Sequence, residues 1–198
     1  MYKSYIMGEY TTAADDNLLG IGDKTQLNEL EAKGVLRAEE YMLDLDFPVE
    51  ITTNLVLDIH KTTFGEIYEW AGKWRNKDLQ VGSYIPPKYF DVPRLMSEFI
   101  YNLNYRLQNM VSNDTEAIAG ELAWAHHKMV HIHPFVNGNG RSARLITNLL
   151  AYMHGYQSVE LYQREGDGRK KYLQAVKLAD TYDFSELEQM IRGQLKPL

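Results

Sequence analysis

The chain has 198 residues, of which 44% are hydrophobic and 24% charged, with a formal net charge of −6 and no cysteine. This balance is typical of a globular domain, and the excess of acidic groups argues against a nucleic-acid surface. Without cysteine there is neither a disulfide nor a thiolate metal site, and no stretch approaches the roughly 20 apolar residues that cross a bilayer, so the sequence predicts a cytoplasmic protein without a membrane partner.

The chain length favours one domain with a short extra segment. Residues 1–24 carry scattered charges and lack the uninterrupted apolar core of a signal peptide, so we predict an N-terminal extension there and a single domain over 25–198. Apolar residues recur at helical spacing over 25–45 and 52–64, which predicts two amphipathic helices.

The pattern changes between Asn76 and Pro87. Apolar residues are interrupted there by Gly82-Ser83 and closed by a pair of prolines, which predicts a small β-hairpin or extended flap. The central residues of this flap are Leu79, Gln80, Val81, Gly82, Ser83 and Tyr84. Helical spacing then resumes over 93–110, 115–132, 142–153, 169–179 and 185–195. The sequence therefore predicts an all-α helical bundle with a small β-hairpin flap.

The densest group of chemically useful residues lies over 133–144. His133 follows an apolar helix and precedes Pro134, which cannot continue that helix, so we expect the imidazole at a helix exit that faces a loop. The Gly-Asn-Gly sequence at 138–140 gives backbone that can approach a ligand closely. The N–H groups at the start of the next helix would then form an anion-binding cradle.

Two arginines follow this turn. Arg141 and Arg144 are three residues apart and therefore lie on one face near the start of the predicted helix. Two cations at the positive end of a helix are unfavourable unless an anion neutralises them, so the implied ligand carries phosphate. His133 could take a proton from a hydroxyl while the cradle and the arginines stabilise charge on the phosphate. The stretch predicts nucleotidyl or phosphoryl transfer, although a Gly-Asn-Gly turn beside a histidine can also be purely structural.

The joint spacing of these residues resembles the core motif of the Fic (Fic/Doc) proteins, H-x-F-x-[D/E]-G-N-G-R-x-x-R. Every specified position matches except the acidic one, which is Asn137. The segment from Phe64 to Arg75 resembles a second family pattern, F-G-x-[I/V]-[Y/W]-x-W-A-G-x-x-R. The resemblance runs from about Thr25 to Ala179 and looks closest to the subgroup labelled mobile mystery protein B, which is found with mobile elements.

The resemblance implies a Fic-fold bundle and an enzyme that transfers AMP from ATP to a Ser, Thr or Tyr hydroxyl of a target protein. His133 would be the general base, and Phe135 would anchor the loop. The phosphates would be bound by Gly138, Asn139, Gly140, Arg141 and Arg144. The flap would align the target protein by β-strand addition, which reads backbone rather than sequence.

The neutral residue at the acidic position bears on the expected cofactor. In the family this residue ligates the Mg²⁺ that bridges the nucleotide phosphates, and Mg²⁺ prefers charged oxygen donors. Asn137 offers only a neutral carbonyl oxygen, so phosphates and water would hold the metal and turnover would be slower. The alternatives are a catalytically weak nucleotide-binding or regulatory module, or a Fic enzyme with another donor, through phosphoryl, UMP or phosphocholine transfer. An antitoxin or regulatory partner and a homodimer also stay open.

Three histidines precede the motif and suggest a competing site. His127 and His131 are four residues apart on a predicted helix, so a zinc site completed by Glu121 is one hypothesis. The metalloprotease pattern would place a glutamate directly after the first histidine, where this chain has Lys128. We therefore favour the interpretation that these histidines, with His126, pack around the loop and orient it.

Many Fic proteins carry an inhibitory helix with the motif [S/T]-x-x-x-E-[G/N], whose glutamate pairs with the second arginine of the core motif. Thr25 and Glu29 have this spacing, but Leu30 replaces the small polar residue and the same spacing recurs elsewhere in the chain. An acidic surface helix is the favoured interpretation. The hypothesis that Glu29 restrains Arg144 predicts a changed ATP affinity in Glu29→Gly.

Overall fold

The computed structural model describes residues 17–161 and 166–198, so most of the predicted N-terminal extension lies outside the described residues. The described part contains a 3₁₀ turn, Tyr89–Asp91, and seven α-helices. These are α1 (Lys24–Leu43), α2 (Thr53–Phe64), α3 (Val92–Gln108), α4 (Thr115–Ile132), α5 (Asn139–Met153), α6 (Gly166–Ala179) and α7 (Ser185–Arg192). The prediction of an all-α bundle is confirmed.

Helix α4 is the central element of the bundle, and it packs against α3, α5 and α7. It begins at an N-cap, Asp114, whose side chain accepts a hydrogen bond from the N–H of Ala117. It ends where His133 adopts a left-handed conformation with φ 52°. The loop that follows returns the chain to α5, so the two ends of the His133 loop are held by two helices that pack together.

The core has two parts. The larger cluster lies between α2, α3, α4 and α5, and a smaller one lies beneath α1. The smaller cluster consists of Leu27, Phe64, Ile67, Tyr68 and Ala71. Gly34 lets α1 cross α2 closely, because a Cβ at this position would lie 1.8 Å from the carbonyl oxygen of Thr63. None of the described helices combines the length and apolarity that a membrane span requires.

Helix α5 begins at Asn139, three residues before the predicted start. Gly138 is its N-cap with φ +77°, and a Cβ there would lie 2.5 Å from the ring of Phe64, so both the conformation and the space require glycine. Gly140 is already inside the first turn of the helix. The first turn of α5 is polar, and apolar periodicity therefore could not mark its start.

The flap, residues 77–87, is a minimal hairpin, as the sequence predicted. The N–H of Val81 donates to the carbonyl of Tyr84 over 2.9 Å, and the N–H of Tyr84 donates to the carbonyl of Val81 over 3.0 Å. Between them Gly82 has φ +60°, which suits the tight turn. Val81 and Ile85 expose 44% and 70% of their surface, so the flap is open to solvent on at least one side.

Candidate active site

His133 is held as a neutral imidazole at the end of α4. Its backbone N–H donates to the carbonyl of Met129 over 3.1 Å, and its ring Nδ1 lies 3.3 Å from the carbonyl oxygen of Val130. A carbonyl can only accept, so Nδ1 carries the proton and Nε2 keeps its lone pair. Burial lowers the pKa of His133 to about 4, and the charge of Arg75 acts in the same direction. Near neutral pH this side chain is a base with an available lone pair.

Behind His133, the buried guanidinium of Arg75 binds three backbone carbonyls. Its Nε donates to the carbonyl of His133 over 2.8 Å, its Nη1 to that of Lys77 over 3.1 Å and its Nη2 to that of Pro87. The backbone N–H of Arg75 also donates to the carbonyl of Pro134 over 2.8 Å. One side chain therefore joins the His133 turn to both ends of the flap.

The loop is also held from α2 by His60, which is fully buried. Its Nδ1 accepts from the N–H of Gly72 over 2.8 Å, so its Nε2 carries the proton and donates to the carbonyl of Asn137 over 3.1 Å. The ring stacks on Phe135 with a centroid separation of 3.6 Å and an interplanar angle of 6°. Burial lowers the pKa of His60 to about 3, so this side chain is a neutral fixed support.

Phe135 and Asn139 close the loop from within. Phe135 is completely buried, as expected of a core anchor. The side chain of Asn139 accepts from the N–H of Phe135 over 2.8 Å and donates to its carbonyl over 2.9 Å. Because both polar atoms of the Asn139 amide are used in this way, a ligand would meet the backbone N–H of Asn139 rather than its side chain.

The predicted anion cradle corresponds to the N-terminus of α5. The N–H of Ser142 donates to the carbonyl of Gly138 over 2.9 Å and closes the first helical turn. The N–H groups of Asn139, Gly140 and Arg141 precede it, and such first-turn groups have no acceptor inside their own helix. Together with the helix dipole they favour an anion at this position.

Arg141 differs from the expected open phosphate ligand. Its guanidinium is buried, pairs with Glu31 of α1 at 2.6 Å and lies 4.5 Å from the centroid of the Phe64 ring. Glu31 also accepts a 2.8 Å hydrogen bond from the hydroxyl of Tyr68. Arg141 therefore connects the start of α5 to α1.

Arg144 lies one turn further along α5 and is half-buried. Its Nη1 is 3.5 Å from the position that a Cβ would take at Gly140, an ordinary contact distance, so the guanidinium lies beside the first turn of α5. On α1, Glu29 is exposed, whereas Glu31, two residues later, reaches the motif. The hypothesis that Glu29 restrains Arg144 stays a prediction.

Asn137 does not make a magnesium site with its neighbours. Its Oδ1 accepts from the N–H of Gly138 over 2.7 Å, and its Nδ2, which is buried and has no hydrogen-bond partner, is a donor rather than a ligand. Glu31, a carboxylate that reaches the motif, is paired with Arg141. Mg²⁺ prefers several oxygen donors, preferably charged, and the side chain at the acidic motif position offers one neutral oxygen that is already engaged.

The histidines before the motif have structural partners. His126 is fully buried, with Nδ1 2.9 Å from the hydroxyl of Thr147 and Nε2 2.8 Å from that of Tyr172. It therefore joins α4 to α5 and α6, and the interpretation that these histidines pack around the loop and orient it stays a prediction.

The hypothesis that Glu121 completes a zinc site with His127 and His131 is wrong, because the carboxylate of Glu121 lies against a different side chain. Both oxygens of Glu121 accept hydrogen bonds from Arg106, over 2.6 and 2.7 Å. His127 and His131 instead meet Asp180 at the end of α6. Among the residues that the structure describes, these three form the one group of histidine and acidic side chains close enough to hold a metal ion.

The family model described as Fic/DOC family matches residues 50–151, slightly more than half of the chain. The chain belongs to the Fic/DOC family. The matched segment contains α2, the flap, His133 and the N-terminus of α5, which are the elements that build the site. The family prediction is confirmed, and the subgroup stays a prediction.

Curated relatives include the protein adenylyltransferases Fic of Drosophila grimshawi and Drosophila melanogaster. Each is 35% identical to this Fic chain over 136 residues, which make up 68% of the chain and 26% of the relative. The chain therefore spans about a quarter of the length of these relatives.

Solved Fic structures share the fold. BepC of Bartonella tribocorum, crystallised with bound AMPPNP, superposes with a TM-score of 0.76 at 18% identity, over 96% of this chain and 97% of BepC. The N-terminal Fic domain of a Bartonella quintana effector with bound ADP gives 0.74 at 18% identity, over 96% and 94%.

Sequence reasoning on this Fic domain missed two supporting residues, Arg75 and His60. Arg75 ends the second family pattern, and its charge alone would suggest a surface position. His60 occupies an apolar position of the α2 pattern, which was a signal for burial but named no partner. Each donates a hydrogen bond to a backbone carbonyl of the loop that is distant in sequence, Arg75 to that of His133 and His60 to that of Asn137. Sequence spacing cannot predict such a pair.

Proposed function

We propose that this Fic domain is a cytoplasmic protein adenylyltransferase, which transfers AMP from ATP to a Ser, Thr or Tyr hydroxyl of a target protein. The observation that carries the proposal is His133, a neutral base fixed at the turn that leads to the N-terminus of α5. The names of the curated relatives and the nucleotides bound in two structural neighbours support the choice of reaction.

In the proposed step, the oxygen of the target hydroxyl attacks the α-phosphorus of ATP. The hydroxyl proton passes to Nε2 of His133, the bond from the α-phosphorus to the bridging oxygen breaks, and pyrophosphate leaves. The products are the AMP ester of the target and a protonated imidazole, which returns its proton to solvent. The αL turn at His133 and the hydrogen bond from Nδ1 orient the ring for this transfer.

The phosphates would lie at the N-terminus of α5. The N–H groups of Asn139 and Gly140 would surround the α- and β-phosphates, where the negative charge of the transition state develops. The N–H of Gly138 would join them only by leaving Oδ1 of Asn137, to which it donates. Arg144 would bind the γ-phosphate. Arg141 would face the β- or γ-phosphate only if its guanidinium can serve both the phosphate and Glu31, to which it is bonded.

The flap would hold the target protein as an added strand. Its hairpin is short and exposed, and its two ends are fixed by Arg75, so an extended peptide could pair with backbone at the flap edge. Tyr84 fixes the flap to α4, since its hydroxyl donates to the carbonyl of His131 over 2.7 Å. The target chain would then pass beside His133.

Asn137 decides between full and weak activity. Because the loop lacks a carboxylate for Mg²⁺, a nucleotide-binding or regulatory module with little transferase activity is the second candidate. We expect Asn137→Asp to raise Mg²⁺-dependent adenylylation, measured as label transferred from ATP over a range of Mg²⁺ concentrations. Unchanged or lower automodification would show that Asn137 is not a substitute ligand.

The reaction is tested by mass spectrometry after incubation of the protein and a cell lysate with labelled ATP and Mg²⁺. We expect a gain of AMP on a hydroxyl, which His133→Ala abolishes. His133→Asn is the matched variant, because asparagine tolerates the left-handed conformation and cannot act as the base. ATP binding without transfer by the unaltered protein would favour the regulatory module. Transfer from labelled UTP, GTP or CDP-choline but not ATP would identify another donor.

A further inference from the structure

Three potential metal ligands converge beside α4, outside the nucleotide site. His127 and His131 lie one helical turn apart on α4, and Asp180 follows the last residue of α6. Oδ1 of Asp180 is 2.9 Å from Nε2 of His127 and 3.3 Å from Nδ1 of His131. The three ligand atoms all lie within 4.8 Å of one another.

These separations suit tetrahedral coordination. Zinc bonds of about 2.0–2.1 Å place neighbouring tetrahedral ligand atoms about 3.3 Å apart. The two nitrogen–oxygen distances are close to that edge, and two imidazoles with one carboxylate are a ligand set that zinc uses with a fourth position open to water. We propose that His127, His131 and Asp180 bind a divalent transition-metal ion of the zinc class.

The electrostatic surroundings also favour a cation. Asp180 directly follows the last residue of α6, and Tyr182, two residues later, adopts the left-handed conformation at φ 65°. A carboxylate there faces the negative end of the helix dipole, an arrangement that a bound cation would relieve. His131 lies in the last turn of α4, so the ion would sit near the negative ends of two helices.

An ion can reach this site from solvent. The side chains of His131 and Asp180 are 39% and 35% exposed, whereas that of His127 is 5% exposed and forms the inner wall. The carbonyl of His131 accepts the hydroxyl of Tyr84, so a bound ion would connect the end of α6 to the helical turn that holds the flap. It would thereby stiffen the turn just before His133.

A plain hydrogen-bond cluster is the competing explanation. Each imidazole can donate an N–H to the same Asp180 oxygen at the observed distances. A cluster held in this way would have no measurable affinity for a metal ion. The two explanations differ in the effect of Asp180→Asn. An amide oxygen still accepts a hydrogen bond but is a weaker, neutral metal ligand.

The test uses the full chain without a histidine tag and titrates it with Zn²⁺ by calorimetry. We expect one equivalent to bind, and we expect Asp180→Asn and His131→Gln each to weaken the affinity at least tenfold. Asp167→Asn is the matched control, since Asp167 is an exposed carboxylate on the same helix, and it should bind as the unaltered chain does. Co²⁺ in place of Zn²⁺ should give the strong visible absorption of four-coordinate cobalt.

A thermal melt provides a second readout if a variant is less stable. Zn²⁺ should raise the Tm of the unaltered chain and of Asp167→Asn, but not that of Asp180→Asn. The proposal is overturned if Zn²⁺ binds Asp180→Asn and His131→Gln as tightly as the unaltered chain, or if the unaltered chain binds none. Neither readout depends on nucleotide transfer. The metal site can therefore be disproved while the proposed transferase function stands, and the function can be disproved while the metal site stands.

Discussion

Two regions meet at His133, and they are built in opposite ways. The loop from His133 to Arg144 is supported by buried side chains, including Phe135 and Asn139, whereas the flap is a two-bond hairpin with exposed apolar residues. Rigid support suits groups that must meet a developing charge in a fixed geometry. An open backbone edge suits a partner recognised by strand pairing. The comparison suggests that the chemistry is preorganised while target recognition is left adaptable.

Of the changes considered, lowering the pH should have the largest effect on stability, and it should act on the part of the molecule that contains buried histidines rather than on the flap. Burial lowers the pKa of His60 and His126 to about 3 and that of His133 to about 4, whereas an unfolded histidine titrates near 6.5. The unfolded chain therefore binds more protons below pH 6.5, and stability falls as pH decreases until about pH 3–4. Each histidine contributes roughly 1–2 kcal/mol per pH unit within that window.

Urea unfolding at pH 7, 6 and 5 measures this dependence. We expect the free energy of unfolding to drop steeply, and the protection of loop amides from hydrogen exchange to be lost with it. The flap sequence contains no histidine, and Tyr84, whose pKa burial raises to about 12, does not titrate in this range. A stability that is flat between pH 7 and pH 5 would show that these histidines are not held neutral by the fold.

Arg75 connects the two regions, and its loss should affect both. Arg75→Ala removes the charged donor of three partly buried hydrogen bonds, to the carbonyls of His133, Lys77 and Pro87, and bonds to a charged group contribute about 1.5–3 kcal/mol each. We expect a loss of about 3–5 kcal/mol in chemical denaturation, together with a severe loss of transfer activity. Arg94→Ala is the control, because Arg94 is an exposed arginine on α3 that pairs with the nearby carboxylates of Asp91 and Glu98. Equal stabilities of these two variants would contradict the role given to Arg75.

The sequence could predict features that depend on local spacing, but not contacts between segments that are distant in sequence. Helical periodicity located the seven helices of the described residues within a few positions, and the spacing from His133 to Arg144 located the loop and identified the family. Periodicity reports only which face of an element is buried. It could not show that Arg141 is paired with Glu31, or that Asp180 rather than Glu121 meets the histidines of α4, since these pairs join distant segments.

His60 tests the loop alone. His60→Phe keeps an aromatic ring against Phe135 but removes the donor to the carbonyl of Asn137 and the acceptor for the N–H of Gly72. Two partly buried backbone groups lose their partners, so we expect a loss of about 2–3 kcal/mol and weaker nucleotide binding. Hydrogen exchange should rise in the loop and not in the flap.

A second histidine gives the matched control for this change. His154 follows α5 at the end opposite the motif, and its Nε2 has no hydrogen-bond partner. His154→Gln should therefore leave the loop amides and the nucleotide affinity unchanged. If His60→Phe leaves both unchanged as well, the loop does not depend on its support from α2.

Tyr84 tests the flap alone, with the smallest expected effect. Tyr84→Phe removes the hydroxyl that donates to the carbonyl of His131 and leaves the ring in place, for a loss of about 1 kcal/mol. The amides of Val81 and Tyr84 should exchange faster, and transfer to a protein target should weaken while ATP affinity stays the same. Tyr101→Phe is the control, because Tyr101 is 72% exposed on α3. Weaker ATP binding in Tyr84→Phe would mean that the flap supports the nucleotide site, and the division between a fixed loop and an adaptable flap would be wrong.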